Sequence, residues 1–365
     1  MYLRKVIYQM QGQIESLLPC FHRSDRRNLA SMVVGMVYAK SVNLPQIASS
    51  AKPAEIQLEA RVQRFERLLK CPKLIPLEAL KPISKRVLET VWKANKGAGL
   101  MILMDRSMIN DTLNLLWISV GFRGRALPLG WVLVPHEGNS DLKLQQELLS
   151  WLKEILPLEA QVRIVADREF HSIHLAEWLE KELELDYVLR LKIGTFVELD
   201  GEVMKISELA VKGESRQFEQ VKITKAKNVT YRTNLTVHWA AAEEESWALA
   251  TNLEPAESVR VYQQRYWIEE MFSDHKSRGL NLEKTRLTDA DKIQKLLVAV
   301  TLAYLWITQI GFSVVVGGKT KQVDNKGLER SVSLCQIGLR WLRELFNDGL
   351  SPPLFTANFE ITGMA

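Results

Sequence analysis

Tyr262, Arg265, Glu269 and Lys276 follow one another at intervals of three, four and seven residues. On a continuous α-helix, at roughly 100° per residue, the four side chains project within about 60° of one another. A core-facing stripe would be apolar. An acid flanked by an aromatic hydroxyl and two cations suits instead a site that holds a metal ion beside phosphates. Two further acids fit the same chemistry: Asp105 closes the apolar run Leu100 to Met104, and Asp167 closes Val162 to Ala166. Strand ends in α/β sheets throw their side chains into a common crevice. Three carboxylates gathered there can hold two divalent cations about 3.5–4 Å apart, the arrangement that activates an attacking oxygen and stabilises a leaving one. All-oxygen ligation selects Mg²⁺ or Mn²⁺. The three cysteines, Cys20, Cys71 and Cys335, fit no zinc spacing and point to a reducing compartment.

The elements that must position these residues are legible in outline. Residues 1–95 read as helical, with apolar positions at helical spacing over Leu29 to Tyr38 and Ile56 to Leu69, a break at Asn43 to Ala48, and Pro72, Pro76 and Pro82 marking the exit. Leu100 to Met104 then reads as a buried strand, followed by strands over Thr112 to Phe122 and Leu127 to Val134 joined by a hairpin at Arg123 to Ala126. A helix over Asp141 to Leu156, a strand over Val162 to Ala166, a helix over Ser172 to Leu183 and a strand over Tyr187 to Leu191 follow. Three antiparallel strands and then alternating helix and strand predict an α/β fold with a ribonuclease H-like catalytic core. The predicted domains are a basic helical DNA-binding region (1–95), the core (96–194 and 251–315), a β-rich insertion (195–250), and a helical C-terminal region (316–365) available for dimerisation. Leu296 to Val316 is apolar enough to raise the question of a membrane span, but its Thr301, Thr308 and Gln309 and the lack of a partner span favour a core helix.

The spacing Tyr-x2-Arg-x3-Glu-x6-Lys resembles the signature of the insertion-sequence four family of bacterial DDE transposases. Val165-Ala-Asp-Arg-Glu169 resembles the segment around that family's second aspartate, Leu103-Met-Asp105 its first, and Trp247 to Pro255 the strand leaving its β-insertion. The resemblance covers residues 100 to 285. It implies that Asp105, Asp167 and Glu269 are the catalytic metal ligands for two Mg²⁺ or Mn²⁺ ions. It further implies that Tyr262, Arg265 and Lys276 hold phosphates of double-stranded DNA, and that Trp247 stacks a flipped base during hairpin formation. Arg168, beside the second aspartate, is a candidate for the same DNA backbone. Each has a plainer reading: a salt bridge from Arg265 to Glu269 or Glu270, core packing for Tyr262 and Trp247, solvation for Lys276, and an ion pair to Glu169 or another acid for Arg168.

Composition agrees with a globular chain: 47% of residues are apolar and 25% charged, which excludes disordered and fibrous classes. The net charge is only +5, but residues 1–96 carry 17 Lys/Arg against 7 Asp/Glu, an excess that favours a polyanionic partner or simply a solvated basic surface. The expected activity is transposition: binding the terminal inverted repeats, cutting DNA, and joining 3′-hydroxyls to target DNA, by a homodimer assembled on DNA in the bacterial cytoplasm, at the nucleoid. Two rivals are a ribonuclease H-like nuclease without strand transfer and a domesticated DNA-binding protein without chemistry.

Overall fold

A computed structural model of the chain describes residues 2–19, 21–50, 56–109, 113–226, 229–324, 332–353 and 355–356. Five helices come first: α1 (Tyr2–Leu17), α2 (Arg23–Ala39), α3 (Leu44–Ser50), α4 (Leu58–Leu69) and α5 (Pro76–Ala94). The stretch expected to break the helical pattern is itself a short helix, α3. Asn43 Oδ1 accepts from the Gln46 N–H at 3.3 Å, and Pro45 falls in the first turn, where its missing N–H costs nothing. Pro76 likewise opens α5, whereas Pro82 lies inside that helix without ending it.

The middle of the chain builds one sheet. Its strands are β1 (Leu100–Met108), β2 (Asn114–Phe122), β3 (Arg125–Leu133), β4 (Val162–Ala166), β5 (Asp186–Leu191), β6 (Phe196–Leu199), β7 (Glu202–Lys205), β8 (Ser215–Ala226), β9 (Val229–His238) and β10 (Trp247–Thr251), in the spatial order β3-β2-β1-β4-β5-β10-β9-β8-β6-β7. Helix α6 (Leu142–Lys153), capped by Asp141, precedes β4, and α7 (Ile173–Lys181) joins β4 to β5. β1, β4 and β5 run parallel, β2 is antiparallel to β1, and β3 is antiparallel to β2. Arg123 and Gly124 form the two-residue hairpin between β2 and β3, both with positive φ (49° and 81°), as the twist-matched turn demands. The residue Thr112, where β2 was expected to begin, lies outside the described residues. β2 is buried at every position, which requires cover on both of its faces.

The β-rich stretch does not form a sheet of its own. β10 pairs antiparallel with β5, from Ala248↔Leu191 to Thr251↔Val188, and β9, β8, β6 and β7 extend the sheet beyond it. Both rims are poor templates for further pairing. β7 is four residues long with Glu202 and Lys205 exposed, and β3 contains Pro128 next to an irregularity in its ladder with β2.

After the sheet come α8 (Pro255–Gln263), α9 (Tyr266–Ser273), α10 (Ala290–Val316) and α11 (Leu334–Asn347). α10 is the apolar segment that raised the membrane question. It is buried along most of its length, packs against α2, α4 and α5, and belongs to one apolar core running from Val6 to Phe355. α11 crosses α10 where two glycines meet. A Cβ on Gly311 would sit 1.9 Å from the Leu334 carbonyl oxygen, and one on Gly338 would sit 1.9 Å from that of Ile307. Gly311→Ala is therefore expected to lower unfolding free energy by about 1–3 kcal/mol through overpacking, measured by urea denaturation. Gly12→Ala in α1, with open space around it, is expected to be neutral or stabilising by up to about 1 kcal/mol.

Candidate active site

The parallel ladder between β1 and β4 runs from Leu100↔Val162 to Met104↔Ala166 and stops there. The next residue on each strand is an aspartate, so Asp105 and Asp167 stand side by side where the ladder ends. β1 does not end at Asp105, as the apolar run suggested. It continues to Met108 because Arg106 to Met108 still pair with β2. On the other flank Ala166 pairs with Leu189 of β5, which places Arg190 beside Asp167. The Arg190 guanidinium is 3.5 Å from Asp167 Oδ1 and 3.1 Å from Glu245.

The third wall comes from α8 and α9. The motif helix is not continuous: α8 ends at Gln263, and α9 starts at Tyr266. Through the junction the backbone bonds span three residues, Arg265 N–H to the Tyr262 carbonyl (2.9 Å) and Ile268 N–H to that of Arg265 (3.0 Å), a tighter turn than the α-helix. After α9 the chain enters a π-turn over Asp274–Arg278, which holds Lys276. The straight-helix projection is thus corrected twice between Tyr262 and Lys276.

Three of the four signature residues nevertheless converge with the aspartates. The Tyr262 hydroxyl donates to Asp167 Oδ1 at 2.8 Å. Arg265 Nη1 donates to Asp105 Oδ2 at 3.0 Å, while its Nη2 donates to Glu269. One guanidinium therefore joins a strand carboxylate to a helix carboxylate. Lys276 is half-buried and makes no hydrogen bond or ion pair to the acids among the described residues. Trp247, at the start of β10, is half-buried with its ring edge-on to Tyr262 at 5.0 Å. Arg168 is mostly exposed and pairs with Glu245 at 3.3 Å, the plainer of its two readings.

Two partnerships were missed in the sequence. Arg190, a charged residue inside the apolar run of β5, was the visible signal for the first. The second is Glu169, which receives the Arg106 Nε (2.8 and 3.0 Å) and the Ser140 N–H (3.1 Å). Arg106 also donates to Asn114, whose amide reaches the carbonyls of His136 and Gly138. This network pins the residues flanking both aspartates to the loop before α6.

The two aspartates differ in electrostatic state. Burial pushes the Asp105 carboxyl up to about 6, outweighing Arg265 and the Arg106 N–H, and the neighbouring Asp167 and Glu269 charges push the same way. Burial also acts on Asp167, but there the Arg168 N–H, Arg265, Tyr262 and Arg190 together win and hold it below the usual carboxylate range. Asp105 thus resists ionisation because it is buried, despite an arginine at 3.0 Å, and a hard cation with oxygen ligands bound there would favour its charged form. Among the described residues, no three acidic, histidine or cysteine side chains stand close enough together to hold one ion as they are. Arg265 lies between two of them.

The sequence profile of the transposase DDE domain family matches residues 117–306, more than half of the chain. The chain belongs to that family. It is a DDE transposase, an enzyme of DNA transposition, and such transposases generally use divalent metals. The matched segment contains Asp167, Trp247, Tyr262, Arg265, Glu269 and Lys276, whereas Asp105 precedes it. Among solved structures the transposase is similar to a piggyBac transposase synaptic complex with hairpin DNA, at 12% identity and a TM-score of 0.41, over 99% of this chain and 84% of that one. No curated protein matches the chain.

The π-turn that follows α9 holds two buried titratable groups. Gly279 and Leu280 N–H both reach the Asp274 carbonyl, and Ser333 donates to the Asp274 carboxyl at 2.9 Å. The His275 ring lies 5.8 Å from Trp117 and 4.6 Å from Tyr304, with neither ring nitrogen hydrogen-bonded among the described residues. Burial lowers the His275 pKa to about 3 and raises that of Asp274 to about 6. Between pH 6.5 and 3 the unfolded chain protonates His275 while the folded one does not, so this group costs stability as pH falls. Asp274 acts with the opposite sign below pH 6. The melting temperature of His275→Phe relative to the wild type is therefore expected to rise as pH is lowered from 7 to 5. A pH-independent difference would contradict a neutral buried imidazole.

Proposed function

We propose that this transposase is of the insertion-sequence four type. Strands β3-β2-β1-β4-β5 would form its ribonuclease H-like core (96–194 and 251–315), residues 195–250 its β-insertion, and Asp105, Asp167 and Glu269 its ligands for two Mg²⁺ or Mn²⁺ ions. The observation that carries the reading is the convergence of three acids from β1, the end of β4 and α9 around Arg265 and Tyr262. When bound, the ions supply polarisation of an attacking water or 3′-hydroxyl and stabilisation of the leaving oxygen.

The chain's own residues bind and orient the DNA. Tyr262 fixes the rotamer of Asp167. Arg265 and Lys276 neutralise phosphates and help set in-line geometry, which matters because such catalysis is mostly positioning and electrostatics. Trp247 presents an indole beside Tyr262 on which an extruded base can stack. The interaction of Arg168 with Glu245 makes it a weaker candidate for a DNA contact.

Residues 1–95 bind the terminal inverted repeats in this reading. A cleft of about 850 Å³ between α1, α2 and α4 is lined by Arg4, Arg23, Arg27, Arg61, Arg64 and Arg67, with Asp25 as the acid among its lining residues. Nε and Nη1 of Arg61 are buried there without a hydrogen-bond acceptor among the described residues. Such donors suit phosphate oxygens. Two ends must be handled together, so the working assembly is a homodimer on DNA, with residues 316–365 available for its interface. It would act at the nucleoid of a bacterial cytoplasm and pass the freed 3′-hydroxyls to target DNA, with a hairpin intermediate.

An assay with a labelled terminal-repeat duplex, Mg²⁺ and a target plasmid tests the whole scheme. Joined product supports it, cleavage alone marks a structure-selective nuclease, and binding alone marks a domesticated DNA-binding protein. Glu269→Gln is expected to abolish cleavage and leave end binding intact; normal cleavage by that variant removes Glu269 from the site. Arg61→Gln and Lys276→Ala are each expected to weaken binding and to reduce the slope of log K against log salt by about one. Unchanged slopes would exclude these two residues from phosphate contact.

A further inference from the structure

We propose that Arg265 is a resident counter-cation that excludes divalent metal from Asp105 and Glu269 until a DNA phosphate draws it away, so that metal loading depends on DNA. The inference rests on the reading of Asp105, Asp167 and Glu269 as the ligand set.

Arg265 joins Asp105 at 3.0 Å and also pairs with Glu269, and among the described residues neither acid pairs with any other cationic side chain. The Arg265 side chain is only 15% exposed, and so is part of the crevice rather than a loose surface group. A divalent ion taking oxygens from both acids would have to share their lone pairs with this cation and lie beside its charge. Like charges at such separations repel strongly in a water-poor crevice. Arginine cannot relieve the conflict by losing its proton, because a guanidinium stays charged at any working pH. It has to move.

The fold gives it a way to do so. Arg265 occupies the junction between α8 and α9, where its side chain makes no capping bond to the backbone. Its guanidinium carbon lies 5.8 Å from the centre of the Tyr262 ring, a π surface along which a guanidinium can turn without losing all of its partners. What it needs at the far end is an anion that matches a planar two-pronged donor, and a phosphodiester does so. Asp167 would feel the loss of the Arg265 charge but keeps its direct partners through this exchange. Tyr262 and Arg190 hold it whether or not Arg265 stays. DNA and metal would then bind with positive coupling, each raising the affinity for the other by the same factor.

The test is a Mn²⁺ titration of the full-length protein, with free Mn²⁺ read by electron paramagnetic resonance, without DNA and with a blunt duplex whose own Mn²⁺ uptake is subtracted. For the wild type, affinity is expected to be about tenfold or more higher with DNA. Arg265→Gln is expected to bind Mn²⁺ without DNA nearly as tightly as the wild type does with DNA, leaving little further gain when duplex is added. Mn²⁺ should also raise the melting temperature of DNA-free Arg265→Gln more than that of the wild type. If Arg265→Gln does not fold, Arg265→Lys carries the test. Its single ammonium cannot pair with both acids at once in the same way, so its DNA-free affinity should lie above that of the wild type. A variant that folds and matches the wild type in both titrations overturns the exchange. Glu269→Gln separates the two layers: if with duplex present it binds Mn²⁺ as tightly as the wild type does, the ligand assignment itself is wrong. If it loses Mn²⁺ while Arg265→Gln matches the wild type, only the exchange is wrong.

Discussion

Three carboxylates in one crevice repel one another, and the local structure reads as the means by which that repulsion is contained. Asp167 is held ionised by a tyrosine hydroxyl, an arginine one strand away and a backbone N–H. Asp105, deeper and with fewer donors, is driven toward its neutral form. The difference is one of environment rather than residue type, since both aspartates follow an apolar strand segment at the same place in the ladder. Arg265 is the piece that makes Asp105 and Glu269 tolerable together, which is why the geometry of one side chain governs so much of the site.

The scaffold that holds the aspartates is built of ordinary forces. The β1–β4 ladder sets their separation by backbone hydrogen bonds, and the buried faces of β2 and α10 anchor that ladder in the apolar core. The contact of Glu169 with Arg106 and Ser140 then stops the loop before α6 from drifting. Rigid strands carry two of the acids, while the third sits on a helix entered through a tight turn and left through a wide one. A site assembled this way keeps two acids fixed and allows the third to adjust.

Much of this was legible in the sequence because hydrophobic periodicity reports burial directly. The limits of β4 follow from Val162 to Ala166 being apolar or flanked by apolar residues, and the hairpin follows from Arg123-Gly124. The grouping of Tyr262, Arg265 and Glu269 was legible from spacing, but the path of the backbone between them was not, because helical periodicity carries no warning of a single tightened or widened turn. Pro82 was read as a boundary, yet in α5 burial of Leu80, Ile83 and Val87 outweighs one lost backbone bond. Arg190 with Glu245, and Arg106 with Glu169, join positions more than fifty residues apart, and no local pattern encodes such pairs. Which acids Arg168 and Arg265 would pair with depended likewise on distant positions, Glu245 for the one and Asp105 for the other.

The two rims of the ten-stranded sheet have a consequence for assembly. An edge of four residues with charged, exposed side chains at one end, and a strand interrupted by proline at the other, leave little free backbone for a visiting chain to zip onto. A dimer of the kind proposed would therefore form through side chains or through a shared nucleic acid, not by merging two sheets. Contact through a shared polymer would dissolve when that polymer departs, which would make such a pairing as temporary as the reaction it serves.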